Sequence, residues 1–291
     1  MLALLCSFII PFTASHARPN NVIMEFDTLF LGIGGFDEIS TDIYGVNHYV
    51  NMITYSTIAT EDCPLQGDFT RIITSYVKPF EYGLGIWHNS FVGTYNGEEA
   101  SFEGWTATYE WAGYGYYLGK GALGGYIIKY TIDGSKTELM ETVELVRRNR
   151  KKTFDFEFVY DEVGDPASIT VDGSGVWWLE NTPHYGHVTS PDNNFFAGDI
   201  FVGSDLVLLD DLMAPTTFNG FGTGLMEFDG IYQRKSASFS GTIYFLIDDF
   251  AIMGLFLAEG EGKFDDCLIT GFFTSSIGGA TYVEMSSFRI Y

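Results

Sequence analysis

Apolar and small residues recur at every second position through much of this chain. Phe91, Gly93 and Tyr95, then Ala100, Phe102 and Gly104, stand two apart, as a strand with one buried face requires. Between them lies Asn96-Gly97, the dipeptide that most readily supplies the two positive φ angles of a tight hairpin. Further strands are predicted at 114–118, 126–132, 154–160, 168–171, 176–179, 200–202, 206–209, 238–247, 251–257, 268–274 and 281–290. Glycines punctuate these short runs, and aromatic and β-branched residues fill them. The pattern is that of an antiparallel all-β sandwich or barrel rather than of βαβ units. One segment, Lys136 to Arg150, also fits a helix with Leu139, Val143 and Val146 on one face, or else a strand hairpin.

The pattern occurs twice. Residues 83–104 return at 220–241, shifted by 137 positions without a gap, with 9 of 22 identical, among them Phe91/Phe228, Gly93/Gly230, Tyr95/Tyr232, Ala100/Ala237 and Phe102/Phe239. A shift of about half the chain predicts a tandem duplication of one antiparallel β-barrel or sandwich unit. The polar, turn-forming stretch from Asp161 to Pro166 marks the expected boundary, giving copies at 18–160 and 161–291. Where the first copy has Asn96-Gly97, the second has Gln233-Arg234, which predicts a turn of another type.

Residues 1–17 contain no Asp, Glu, Lys or Arg, run apolar from Leu2 to Phe12 and end in Ser15-His16-Ala17. This is the pattern of a secretory signal peptide cleaved after Ala17, and no later stretch is apolar for long enough to span a membrane as a helix. Cleavage removes Cys6 and leaves Cys63 and Cys267, an even pair in an oxidising compartment, so a disulfide tying one copy to the other is expected. The net charge of −23 is uneven. Residues 18–160 hold 19 acidic and 11 basic side chains, net −8, and residues 161–291 hold 19 and 4, net −15. Such a surface repels phosphate backbones and excludes nucleic acid as the expected partner. A divalent cation or a basic surface suits it better.

Few residues invite chemistry. His184 and His187 lie three apart but lack the Cys or further His spacing of a zinc site, so no metal centre and no cofactor are expected. The doublets Asp210-Asp211, Asp248-Asp249 and Asp265-Asp266 offer oxygen ligands without EF-hand spacing. Neighbouring residues of a strand face opposite sides, so at Asp248-Asp249 either one acid faces an interior or the strand ends there. Arg147-Arg148-Asn149-Arg150-Lys151-Lys152 is the one dense basic run and can pair with the acidic second copy. Trp105, Trp111, Trp177 and Trp178 are candidates for a ligand cavity or an interface. Trp177 and Trp178 are adjacent, so one indole must lie outside its own sheet's interior. No nucleophile elbow, Walker loop, dinucleotide fingerprint or His-Glu-x-x-His motif occurs.

Ser240-Gly241-Thr242-Ile243-Tyr244-Phe245, Gly254-Leu255-Phe256, Gly260-Glu261-Gly262-Lys263-Phe264 and Ile269-Thr270-Gly271 resemble the terminal hairpins of the allene-oxide-cyclase and dirigent-like barrels, and Gly119-Lys120-Gly121-Ala122-Leu123 is similar. The resemblance implies eight-stranded antiparallel barrels that bind apolar small molecules and cyclise them or steer their coupling. No catalytic residue of those families matches a position here. The expectation is therefore a secreted, non-catalytic binding or structural protein that takes a small apolar ligand or self-associates. Two alternatives stand beside it: a cyclase or isomerase working in a barrel cavity with an interior carboxylate, and an extracellular cation-binding coat protein.

Overall fold

The computed structural model describes residues 22–79, 81–110, 112–134, 139–189, 196–209, 217–276 and 281–290. Met1–Ala17, Cys6, Trp111 and Asp210-Asp211 lie outside the described residues. Among the described residues every regular element is a strand: β1 (Val22–Phe26), β2 (Thr28–Gly35), β3 (Glu38–Thr41), β4 (Asn47–Ile58), β5 (Leu65–Lys78), β6 (Tyr82–Tyr95), β7 (Glu98–Tyr109), β8 (Ala112–Gly121) and β9 (Tyr126–Gly134). Then follow β10 (Leu139–Val163), β11 (Ser168–Val171), β12 (Trp177–Thr189), β13 (Phe196–Leu208), β14 (Gly220–Tyr232), β15 (Lys235–Asp248), β16 (Ala251–Gly262), β17 (Cys267–Ser276) and β18 (Thr281–Ile290).

The strands form two barrel-like antiparallel sheets joined by β10. In the first, β4 to β10 pair in chain order. The sheet returns on itself through β1, which pairs β10, and β2, which pairs β4. In the second, β12 to β18 pair in order and β10 bonds both β18 and β12, closing the ladder. The chain passes between sheets inside β10: residues up to Arg147 pair with β9 and those from Arg148 pair with β18. This transfer precedes the Gly164-Asp165-Pro166 turn expected to part the copies. Of the two readings of 136–150, helix or strand hairpin, the described part, 139–150, takes the strand, paired with β9 as far as Arg147. Glu141, Val143 and Leu145 are buried inside the first sheet at spacing two, so tertiary pairing overrides the helical period.

Each interior is an apolar cluster. Phe69, Phe91 and Phe102 centre the first, and Phe228, Phe239 and Phe256 centre the second. Phe91 and Phe102 are register partners and stack at 4.7 Å and 17°, and Phe228 and Phe239 are register partners and stack at 4.9 Å and 20°. Facing glycines make room for these rings. A Cβ on Gly93 would lie 2.0 Å from the Gln66 carbonyl, and one on Gly230 would lie 2.3 Å from the Ala197 carbonyl and 2.7 Å from the Phe228 ring.

A third cluster lies between the sheets and takes side chains from both, including Leu84, Ile86 and Tyr116 from the first and Phe221, Tyr244 and Leu255 from the second. Trp105 stacks on Phe272 at 4.4 Å, and Tyr82 meets Trp178 edge-on at 5.1 Å. Continuous apolar runs make this seam. In β15, Ile243, Phe245 and Ile247 face the second interior, while Tyr244 and Leu246 face the first sheet.

Two expectations are corrected. Cys63 and Cys267 are free thiols buried in separate interiors, Cys63 in the first and Cys267 in the second, so no disulfide clamps the sheets. The Gln233-Arg234 turn matches Asn96-Gly97. Its φ angles are +51° and +63°, against +52° and +81° in the first sheet, because Tyr232 and Lys235 pair in the register that Tyr95 and Glu98 use. A left-handed arginine costs roughly 1 kcal/mol relative to glycine. Arg234→Gly is therefore expected to raise stability by about 1 kcal/mol, read as a higher urea midpoint with an unchanged slope, whereas Gly97→Ala lowers it.

Candidate functional site

Inside the first sheet a belt of polar side chains crosses the apolar interior at one level. Eight strands supply one each: Thr28 from β2, Ser56 from β4, Arg71 from β5, Asn89 from β6, Thr106 from β7, Tyr117 from β8, Tyr130 from β9 and Glu141 from β10. Their placement follows from the strand period, since Arg71 lies two from both Phe69 and Ile73, and Glu141 two from Val143.

The belt has a charged half. Arg71 Nη2 lies 2.9 Å from both oxygens of Glu141, Nη1 donates to Ser56 Oγ at 2.5 Å, and the guanidinium sits 4.7 Å over the Phe69 ring. Thr28 Oγ1 donates to Glu141 Oε1 at 2.7 Å, and the Tyr130 hydroxyl donates to Oε2. Both charges are buried. Burial, the neighbouring Glu141 carboxylate and its hydrogen bond all hold the Tyr130 phenol well above its ordinary value. The neutral half joins Asn89 Nδ2 to Thr106 Oγ1 at 2.8 Å and to the Tyr117 hydroxyl at 2.5 Å, while Thr106 and Tyr117 also bond each other. Arg71 and Asn89 are register partners, and the Tyr117 and Tyr130 rings lie 5.3 Å apart, so the halves meet.

Glu141 is an interior carboxylate without freedom. Two guanidinium contacts and two hydroxyls occupy its acceptor positions, as a structural ion pair requires and a general base does not. Counting along the ladders from the Phe228–Phe239 pair, the corresponding places in the second sheet hold Phe158, Gly186, Val202, Met226, Ile243, Ala258, Gly271 and Val283. Every one is apolar or glycine.

The residues singled out in the sequence are scattered. Asp248 ends β15 and Asp249 opens a tight turn with φ +45°, so both are exposed and neither faces an interior. Trp105 and Trp178 lie in the seam between the sheets, and Trp177 packs against the second interior. His184 bonds Ser204 Oγ at 2.9 Å and His187 bonds Asp161 at 2.9 Å, on different neighbours. From the basic run, Lys152 Nζ donates to the Tyr232 hydroxyl at 3.1 Å, in the second sheet as expected, but to a phenol rather than an acid.

On the outside of the second sheet a groove of about 680 Å³ is lined by Asp161, Asp199, Glu227, Asp229 and Glu261, with the Tyr185 and Phe201 rings tilted against each other beside them at 5.3 Å. Among the described residues no three His, Cys, Asp or Glu side chains are placed to share a metal ion. The belt was missed in the sequence. Its signal was available as single charges, Arg71 and Glu141, at the inward positions of otherwise apolar alternating runs.

Removing one member of a buried pair strands the other. Glu141→Leu alone is expected to cost about 3–5 kcal/mol, and the double variant Arg71→Met/Glu141→Leu, which copies the chemistry of the second sheet, to recover most of it, measured by denaturant unfolding. A second expectation concerns pH. Burial lowers the pKa of His48, partly offset by Asp248 and Glu38, and burial lowers that of His184. The folded imidazoles therefore bind protons less readily than the unfolded ones. Their contribution to stability is full above about pH 6.5 and is lost as pH falls through the lowered values, and His48→Phe should flatten that loss in thermal melts from pH 7 to 5.

No protein-family model, curated protein or solved structure matches this chain, so the site is read from its own chemistry.

Proposed function

We propose that this is a secreted, non-catalytic β protein, built by tandem duplication, that acts through its outer surface while both interiors serve to hold the fold. The observation that carries this reading is the state of the interiors. The first closes around a carboxylate whose acceptors are all used, and the second is lined by apolar side chains at the same level.

The duplication is supported by features beyond the repeat seen in sequence. Phe91/Phe228 and Tyr95/Tyr232 occupy the same register places in β6 and β14. The loops before β4 and β12 share one construction. Asp42 Oδ1 accepts the Tyr44 and Val46 amides at 2.8 and 2.9 Å, and Asp172 Oδ1 accepts the Ser174 and Val176 amides at 2.8 and 3.0 Å. The seam also draws on matching places, such as Leu84 with Phe221, Ala107 with Tyr244 and Ile127 with Leu268. Two copies meeting through the same patch is the arrangement of an isologous dimer, here made covalent by β10.

Secretion follows from the leader at 1–17, and the surplus of acid in the second half suits a surface that meets cations or basic groups. The alternative of a cyclase or isomerase needs an interior acid free to exchange protons with a ligand, and Glu141 is engaged on every side. Titration of the secreted protein with a panel of apolar acids and terpenoids is expected to give no saturable binding and no rise in Tm. A ligand that raises Tm by several degrees, and loses that effect in Glu141→Gln, would overturn the proposal. N-terminal sequencing of the secreted form should begin at Arg18.

A further inference from the structure

We propose that the free edge of β2 is the contact through which two copies of this chain associate, by antiparallel pairing about a two-fold axis. β10 accompanies the N-terminal strand only as far as the Phe26–Glu141 pair. Beyond it β2 bonds β4 on one side, and the described residues offer no strand on the other. An open edge of this kind is a template for another strand. Along and just after it, Leu29, Phe30, Leu31, Ile33, Phe36 and Ile39 are between 42% and 60% exposed.

The second sheet has the same edge and treats it differently. Past the Phe158–Thr281 pair, β10 runs on along β12 alone, and its register steps at Asp161 as that of β2 steps at Leu31. At the places of Leu31 and Gly32 stand Asp161 and Glu162, and Asp165 follows just past the end of β10. Charges at an edge are the ordinary means of preventing strand addition. One edge is guarded and its counterpart is bare.

A second copy fits this edge better than other occupants. A chain of net charge −23 repels its own kind over most of its surface, but Thr28 to Phe36 carries no ionisable side chain. At roughly 190 Å² per side chain the strip exposes on the order of 600 Å² per copy, and two copies reach about 1,200 Å², where specific interfaces begin.

The inference rests on the surface-acting reading and names its partner. Sedimentation velocity of the secreted chain from about 1 to 100 μM is expected to show a monomer–dimer equilibrium that tightens as salt screens the acidic repulsion. Leu31→Asp transplants the charge found in the second sheet, and Gly35→Asp places a new charge at the far end of the same edge. Gly35 has nothing within 4 Å of a built Cβ, so that variant leaves folding undisturbed even where Leu31→Asp does not. Either should weaken association at least tenfold, while Val92→Asp, at a residue 64% exposed on β6, leaves it unchanged. A monomer at every concentration and salt, a dimer indifferent to Gly35→Asp, or a monomer captured by neutral liposomes through this strip overturns the inference. Such a monomer leaves the non-catalytic reading intact, whereas a saturable interior ligand removes that reading and says nothing about β2.

Discussion

Both faces of the same strands are apolar, and the architecture depends on that constraint. A strand in an ordinary exposed sheet hides alternate residues and wets the rest. Here β6, β15, β16 and β17 carry continuous buried runs, so each sheet has an outward apolar face that water would penalise as heavily as the inward one. Seating the two outward faces on each other removes both. The result is three cores instead of two, with Trp105–Phe272 and Tyr82–Trp178 in the shared one. The adjacent indoles Trp177 and Trp178 serve an interior and the seam at once because neighbouring residues of a strand point opposite ways.

The two interiors solve one packing problem with different chemistry. In the second, aromatic and aliphatic side chains meet with no polar group at the belt level. In the first, a charged pair and its hydroxyl ligands occupy that level; the Glu141 acceptors are all taken, by Arg71, Thr28 and Tyr130, while Arg71 Nε and Asn89 Oδ1 are buried without a partner among the described residues. Buried ion pairs add little net stability over hydrophobic replacements. What the belt does add is one specified arrangement of eight strands, since a slip of any one would strand a charge in an apolar medium.

The same asymmetry recurs outside. Matched places along the two ladders differ in charge at the β2 edge, where Leu31 answers to Asp161, and on the outer groove, where Glu227 and Asp229 answer to Ser90 and Val92 while Asp199 keeps a counterpart in Asp68. The two sheets thus share a framework of stacked phenylalanines and facing glycines and differ in what each presents.

Local pattern in the sequence was sufficient for the all-β class, most strands, the Asn96-Gly97 hairpin and the match of Phe91 with Phe228, because strand period and turn stereochemistry act within a few residues. It left the answer open, or misled, where neighbours in space decide. The run from 136 to 150 has both a helical and a strand reading, and its described part is strand because β1 and β9 flank it, whereas Gln233-Arg234 takes left-handed angles because the register of β14 and β15 forces them. Cys63 and Cys267 suit a disulfide by count and occupy separate cores by folding. The belt was the least visible feature, since Arg71 and Glu141 are 70 positions apart and acquire meaning only at 2.9 Å. Periodicity is a property of the chain alone, whereas the partner of a buried charge is chosen by the closure of the sheet.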